Sequence, residues 1–186
     1  NVQNVMEEEY ANDDNFGTPS GEAQMESSMV IMDPYTGEIK GLVGGRGNKE
    51  SNRTLNRATQ TTRQPGSTIK PIAVYGPAME EGLIGPGTIM VDKPISIGSW
   101  KPHNYDFSYS GAVSIRRAIA NSINIIAVKT LQILGVETSY DYMTNRFHFT
   151  SLVKGRKAED GTVLSDLNLA ALALGGLTDG VSVKEM

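Results

Sequence analysis

The spacing of apolar side chains changes several times along the chain, and each change predicts an element. Val2, Val5 and Met6, beside Glu7 to Glu9, recur at helical spacing, so a helix is expected from the first residues. Asn12 to Gly21 is polar, with Gly and Pro, and reads as loop. Ser28 to Met32, then Asp33-Pro34-Tyr35-Thr36-Gly37, then Glu38 to Val43 predicts strand, turn and strand, a β-hairpin with Pro and Gly where a turn needs a fixed and a positive φ. Residues 46–66 are polar and irregular and end in Pro65-Gly66. Ile69, Ile72 and Ala73 then fall on one side of a helix. Ser67 therefore sits at a loop-to-helix junction.

Residues 82–111 carry many Gly, Pro and aromatic residues with little periodicity, which predicts a long structured loop around Trp100-Lys101-Pro102-His103-Asn104-Tyr105. Ser114 is placed to cap a helix through about Ala120, and Ile123 to Leu134 forms a strongly apolar second helix closed by Gly135. A further helix is expected over 137–147, a polar loop over 150–165, and a short apolar helix over 166–174 ended by Gly175-Gly176. Ser182-Val183-Lys184-Glu185 matches a capping box, which announces a helix as the chain stops, so the end is not expected to be a natural domain boundary.

Charge and composition narrow the chemistry. A net charge of −4, a pI near 5.2 and scattered Lys and Arg argue against nucleic acid as a partner. The absence of Cys rules out disulfides, thiol nucleophiles and thiolate metal sites, and His103 and His148 alone do not make a His-rich centre. No metal and no cofactor is expected. No stretch of about eighteen apolar residues and no signal-peptide pattern occurs.

The candidate chemistry lies in Ser67-Thr68-Ile69-Lys70. Residues three apart on a helix share a face, so Lys70 can bring its amine to the Ser67 hydroxyl. A serine hydroxyl needs a neighbour to take its proton, and an ammonium accepts none until burial or a helix dipole lowers its pKa. Spacing by itself carries little weight: 15 Ser and 9 Lys in 186 residues give about 0.7 chance occurrences of two residues so placed. A second pair, Ser151 and Lys154, has the same spacing in a polar loop without a preceding Pro-Gly, and is read as accidental. Ser122-Ile123-Asn124 lies at an inter-helix junction, where Ser and Asn serve equally as caps. Beside Ser67 and Lys70 they also offer a hydroxyl to relay a proton and a carboxamide to hold a peptide.

Arg63-Gln64-Pro65-Gly66-Ser67-Thr68-Ile69-Lys70-Pro71, Trp100-x-Pro102-x-Asn104, Asn121-Ser122-Ile123-Asn124 and Leu174-Gly175-Gly176 followed by Gly180-Val181-Ser182 together resemble the transpeptidase domain of penicillin-binding proteins, most closely the class A group. The resemblance runs from about Ser28 to Met186. It implies an α+β fold of the β-lactamase and transpeptidase type, a helical subdomain with an antiparallel sheet. It also implies a serine acyl-enzyme in which Ser67 is the nucleophile, Lys70 the base and Ser122 the relay. Asn124, Trp100 and Asn104 would bind substrate, the last two from a segment that flanks the cleft. Peptidoglycan stem peptides and β-lactam antibiotics are the implied partners, and the extracytoplasmic face of a bacterial membrane, with a membrane-anchored parent protein, the implied location.

One departure stands out. No Lys-Thr-Gly or Lys-Ser-Gly occurs, although the family places one on a cleft-wall strand that supplies an oxyanion-hole N–H. Only the first hairpin of the family's sheet is expected here. The chain is thus read as 1–27, a helix remnant and linker, and 28–186, a partial domain whose missing C-terminal part is itself an expected partner. Low activity of the isolated chain follows. A hydrolase of the same fold, a D,D-carboxypeptidase or β-lactamase, and a non-catalytic sensor or scaffold that binds β-lactam or peptidoglycan are the alternatives.

Overall fold

The structure, a computed structural model, describes residues 1–17, 25–48, 51 and 53–186. The part of the predicted 12–21 loop from residue 18 onward lies outside these. The chain forms two compact units, Asn1–Arg63 with Val181–Met186, and Gln64–Gly180.

In the first unit, helix α1 (Val2–Ala11) is capped by the Asn1 side chain, which accepts from the Asn4 N–H. Strands β1 (Met29–Met32) and β2 (Ile39–Val43) pair antiparallel, as the hairpin pattern predicts. Asp33 makes the turn: its Oδ1 accepts from the N–H groups of Tyr35 and Thr36, and Gly37 takes the positive φ of 72°. Met6, Tyr10 and Val43 are buried together with Phe16 against them. Gly41 permits this packing, because a Cβ there would lie 2.4 Å from Met6 Sδ. A short helix, α2 (Arg57–Gln60), interrupts the segment read as irregular; the Asn56 side chain caps it by accepting from the Ala58 N–H.

In the second unit, residues 66–80 form one continuous helical segment of three geometries, a 3₁₀ turn (Gly66–Ile69), a π turn (Pro71–Tyr75) and helix α3 (Gly76–Glu80). The expected long loop holds a strand instead. Strand β3 (Ile89–Asp92) pairs antiparallel with β4 (Gly111–Ser114), so the first hairpin is not the only ladder, and a third, β5 (Arg156–Lys157) with β6 (Val163–Leu164), follows. Both β3 and β4 are four residues long, and Ile89 and Val91 face outward, so the alternation that betrays a half-buried strand is missing.

Helix α4 (Ile115–Ala120) starts at Ser114, whose Oγ accepts from the Arg117 N–H. Helix α5 (Asn124–Leu134) is the centre of the unit. Ile125, Ile126, Ala127, Val128 and Leu131 are fully buried in it, which is why it reads apolar on every side. It packs against helix α7 (Leu169–Leu174), α3 and the π turn. Helix α6 (Val136–Asp141) runs into a second π turn (Tyr142–Arg146). Asp166 is buried and ties two loops together, accepting from the Val153 N–H, the Thr178 N–H and the Thr178 hydroxyl. The fold is thus α+β, with helices dominating and small antiparallel ladders beside them.

Candidate active site

The path of the chain into Ser67 is set by three residues without ordinary backbone freedom. Gly66 takes a φ of +54°, and its N–H donates to Gly175 O at 3.3 Å. Gly175, at φ +77° after α7, lies so close to Gly66 that a Cβ on it would stand 2.1 Å from Gly66 O. Pro71 has no N–H to give the Ser67 carbonyl four residues back, so that carbonyl takes the Lys70 N–H in a tighter turn. The π turn after Pro71 is closed by the Gly76 N–H on Pro71 O. Ser67 is exposed at the start of this segment, and Lys70, one turn on, is buried, with 3% of its surface accessible.

The buried amine is held from the far side of the unit. Lys70 Nζ donates to Ser122 O at 2.8 Å, to Ser122 Oγ at 3.0 Å and to Asn124 Oδ1 at 2.6 Å. Ser122 reaches this position through a left-handed backbone, φ +51°, between α4 and α5. That turn points its carbonyl and hydroxyl to the same amine. Desolvation lowers the Lys70 pKa from 10.5 to about 8. Asn124, the first residue of α5, uses its other end to donate from Nδ2 to His103 O at 2.9 Å.

Ser67, Thr68, Lys70, Pro71, Tyr75, Ile119 and Ser122 line a cavity of about 270 Å³. Among the described residues Ser67 Oγ makes no hydrogen bond, so its hydroxyl is available to a ligand in this cavity. The Tyr75 hydroxyl, on the same wall, is buried and has no hydrogen-bond partner among the described residues; burial pushes its pKa up. A larger polar cleft of about 790 Å³ in the first unit, from Leu42 to Arg57, contains none of the residues singled out in the sequence.

Four of the six predicted residues therefore come together, Ser67, Lys70, Ser122 and Asn124. Trp100 and Asn104 stand apart from the cavity lining. Trp100 is half-buried, and its backbone pairs with Ile97 in a tight turn. Asn104 is buried, and both ends of its carboxamide are occupied within the protein: Nδ2 donates to Asp92 and Ser108 O, and Oδ1 accepts from the Ile125 N–H. Ser151 and Lys154 lie in a loop, not on a shared helical face. Reading the sequence did not single out Tyr75 or Asp92. Neither belongs to a spacing pattern, and only their tertiary partners mark them.

Comparison with known proteins shows the family. Residues 27–177 match the family described as penicillin binding protein transpeptidase domain. Penicillin-binding protein 1F of Bacillus subtilis is 41% identical over 164 residues, covering 88% of this chain and 20% of that protein. Penicillin-binding protein 1A of Clostridium acetobutylicum is 37% identical over 155 residues, covering 76% of this chain and 19% of that protein. The chain thus spans about a fifth of the length of these relatives. Among solved structures, penicillin-binding protein 1A from Haemophilus influenzae superposes with a TM-score of 0.63 at 31% identity, over 82% of this chain and 21% of that one. The 186-residue chain belongs to the penicillin-binding protein transpeptidase family.

Proposed function

We propose that this chain carries the nucleophile half of a peptidoglycan D,D-transpeptidase site, with Ser67 as the residue that is acylated. The observation that supports this reading is Lys70: a buried amine, lowered to about 8, one turn from an exposed serine and bound to a second serine. An amine so placed is neutral in a useful fraction near neutral pH and can accept a proton.

The three acceptors around Lys70 also suggest how the proton moves. Ser122 O and Asn124 Oδ1 can only accept, whereas a hydroxyl can accept or donate. An ammonium satisfies all three. A neutral amine has two N–H groups and a lone pair, so Ser122 Oγ–H is the one partner able to turn and donate to it. Ser67 Oγ attacks the carbonyl carbon between the last two D-alanines of a stem peptide while its proton passes to Lys70. Ser122 Oγ relays a proton to the departing amine, D-alanine leaves, and Ser67 is left as an ester. The amine of a neighbouring stem peptide attacks that ester, forms the cross-link and returns the hydroxyl to Ser67. A β-lactam enters the first step in the same way: its ring C–N bond opens, the nitrogen takes the proton, and the ester persists. One structural neighbour, PonA1 from Mycobacterium tuberculosis, has been solved in complex with penicillin V.

Asn124 has one amide hydrogen left after its bond to His103 O, and this is the donor assigned to a substrate carbonyl. Trp100 and Asn104 lie outside the cavity lining, and both ends of the Asn104 carboxamide are taken within the protein, so neither is assigned a substrate contact. The chain contains no Lys-Thr-Gly, and an oxyanion-hole donor contributes roughly 10² to 10³ in rate. Acylation by the isolated chain is therefore expected to be slow. The site belongs to the extracytoplasmic face of the bacterial membrane, where stem peptides are cross-linked; no helix among the described residues is long and apolar enough to cross a membrane. Treating the chain with a fluorescent penicillin tests the reading: slow labelling that disappears in Ser67→Ala supports it, and labelling that survives Ser67→Ala overturns it.

A further inference from the structure

We propose that Asp92 and Asn104 are positioning residues that decide which end of the Asn124 carboxamide faces Lys70. The two ends of a carboxamide have nearly the same shape, so only hydrogen-bond partners select one orientation. For Asn124 the selection is made at the far end, where Nδ2 donates to His103 O at 2.9 Å and thereby leaves Oδ1 to the amine at 2.6 Å. The question becomes what fixes the His103 carbonyl.

Its neighbour Asn104 does. Asn104 Oδ1 accepts from the N–H of Ile125, the residue after Asn124, at 3.2 Å. One side chain therefore clamps position 104 to position 125, and the backbone on either side carries His103 O and the Asn124 side chain to each other. The clamp holds only while Asn104 presents its oxygen to Ile125 and its nitrogen elsewhere. Asp92 enforces this. An ionised carboxylate accepts and cannot donate, and Asp92 receives Asn104 Nδ2 on both oxygens at 3.0 Å, with the Ser110 N–H on Oδ2 at 2.8 Å. Were Asn104 to flip, its oxygen would meet the Asp92 carboxylate and its NH₂ would meet the Ile125 N–H.

Asp92 has 1% of its surface accessible, and its bonds run to neutral donors, Asn104 and Ser110. Burying such a charge is costly, and an apolar pair of similar volume would close the β3–β4 hairpin as well. What an apolar pair would not do is choose the direction of an amide. The inference rests on Lys70 and Asn124 acting as proposed above, and its test separates the two claims.

The first readout is structural and independent of activity. In ¹H–¹⁵N spectra of the 186-residue chain, the side-chain NH₂ of Asn124 is expected to show two well-separated proton shifts, because one hydrogen is bonded to His103 O and the other is left open. Asp92→Asn, which places a donor against Asn104 Nδ2 or the Ser110 N–H, is expected to shift that resonance and collapse the separation of its two protons. The second readout is penicillin acylation at Ser67. Asp92→Asn is expected to slow it by about tenfold or more, as small misplacements of a site group do, and to add nothing further in an Asn124→Ala background. An unshifted Asn124 resonance, or a rate loss that adds in full to that of Asn124→Ala, overturns the proposal. If Asp92→Asn unfolds the chain, Asn104→Ser, too short to span from Asp92 to the Ile125 N–H, gives the same test. If the unsubstituted chain is not acylated at Ser67, the transpeptidase reading fails while the Asn124 resonance still decides the positioning claim.

Discussion

Lys70 Nζ lies 2.6 Å from Asn124 Oδ1, across 54 positions of sequence, with Ser122 O and Oγ completing its shell at 2.8 and 3.0 Å. The amine is thus fully coordinated by the turn between α4 and α5, while Ser67 Oγ, which lines the same cavity, makes no hydrogen bond among the described residues. Under the proposed mechanism, this asymmetry suits a site in which the base is assembled before the substrate arrives and the nucleophile is held in reserve.

The pH profile of acylation follows from the Lys70 environment. In the proposed mechanism neutral Lys70 is the proton acceptor, so the rate should rise with pH around a midpoint near 8, where burial has brought a group that ordinarily titrates at 10.5. Lys70→Arg, a side chain that stays charged, should lower acylation at least 10²-fold at every pH. Stability is linked to the same group. From about 8 to 10.5 the unfolded chain holds a proton that the folded chain has released, so stability gains from this group as pH rises through that window, and its cost is greatest below it. Stopped-flow labelling and urea melts across pH check both.

In the proposed mechanism Ser122 serves through its hydroxyl as well as through its backbone, and two substitutions separate them. Both Ser122→Ala and Ser122→Gly remove the relay and should slow acylation by about 10². The φ of +51° is strained for Ala and free for Gly, so Ser122→Gly should unfold at higher denaturant than Ser122→Ala, by about 1 kcal/mol. Equal stabilities would contradict the assignment of strain to this turn.

Gly175→Ala should damage a site it never touches. The added Cβ would stand 2.1 Å from Gly66 O and 2.6 Å from Gly66 N, all backbone atoms that can yield only by moving the turn that presents Ser67. A loss of about 1–3 kcal/mol in stability together with slower labelling of Ser67 is expected. Wild-type labelling and stability would show that Gly66 and Gly175 are not in close contact.

What could be read from the chain in advance tracks how local each signal is. The α5 run and its closing Gly135, the Asp33–Gly37 turn and the placement of Ser67 after Pro65-Gly66 are written in adjacent residues, and the structure has them where the pattern puts them. Strand β3 was not legible, because a four-residue strand with Ile89 and Val91 outward has no alternation and its partner begins at Gly111. Helix α2 is a single turn whose only mark is the Asn56 cap. Within the site, Ser67, Lys70, Ser122 and Asn124 could be named from motifs. That Lys70 would bond to Ser122 and Asn124, and not to Ser67, depends on an inter-helix turn no spacing reveals. Asn104 belongs to a recognisable Trp-x-Pro-x-Asn pattern, yet the direction of its amide is decided by Asp92 and Ile125, which only folding brings to it.

Which atom of this chain a β-lactam acylates decides whether Ser67 is the nucleophile. Mass spectrometry of the penicillin-treated chain, with peptide mapping, should find one adduct per molecule, on Ser67, absent from Ser67→Ala and strongly reduced in Lys70→Arg. An adduct on Ser151, or on any residue other than Ser67, would contradict it.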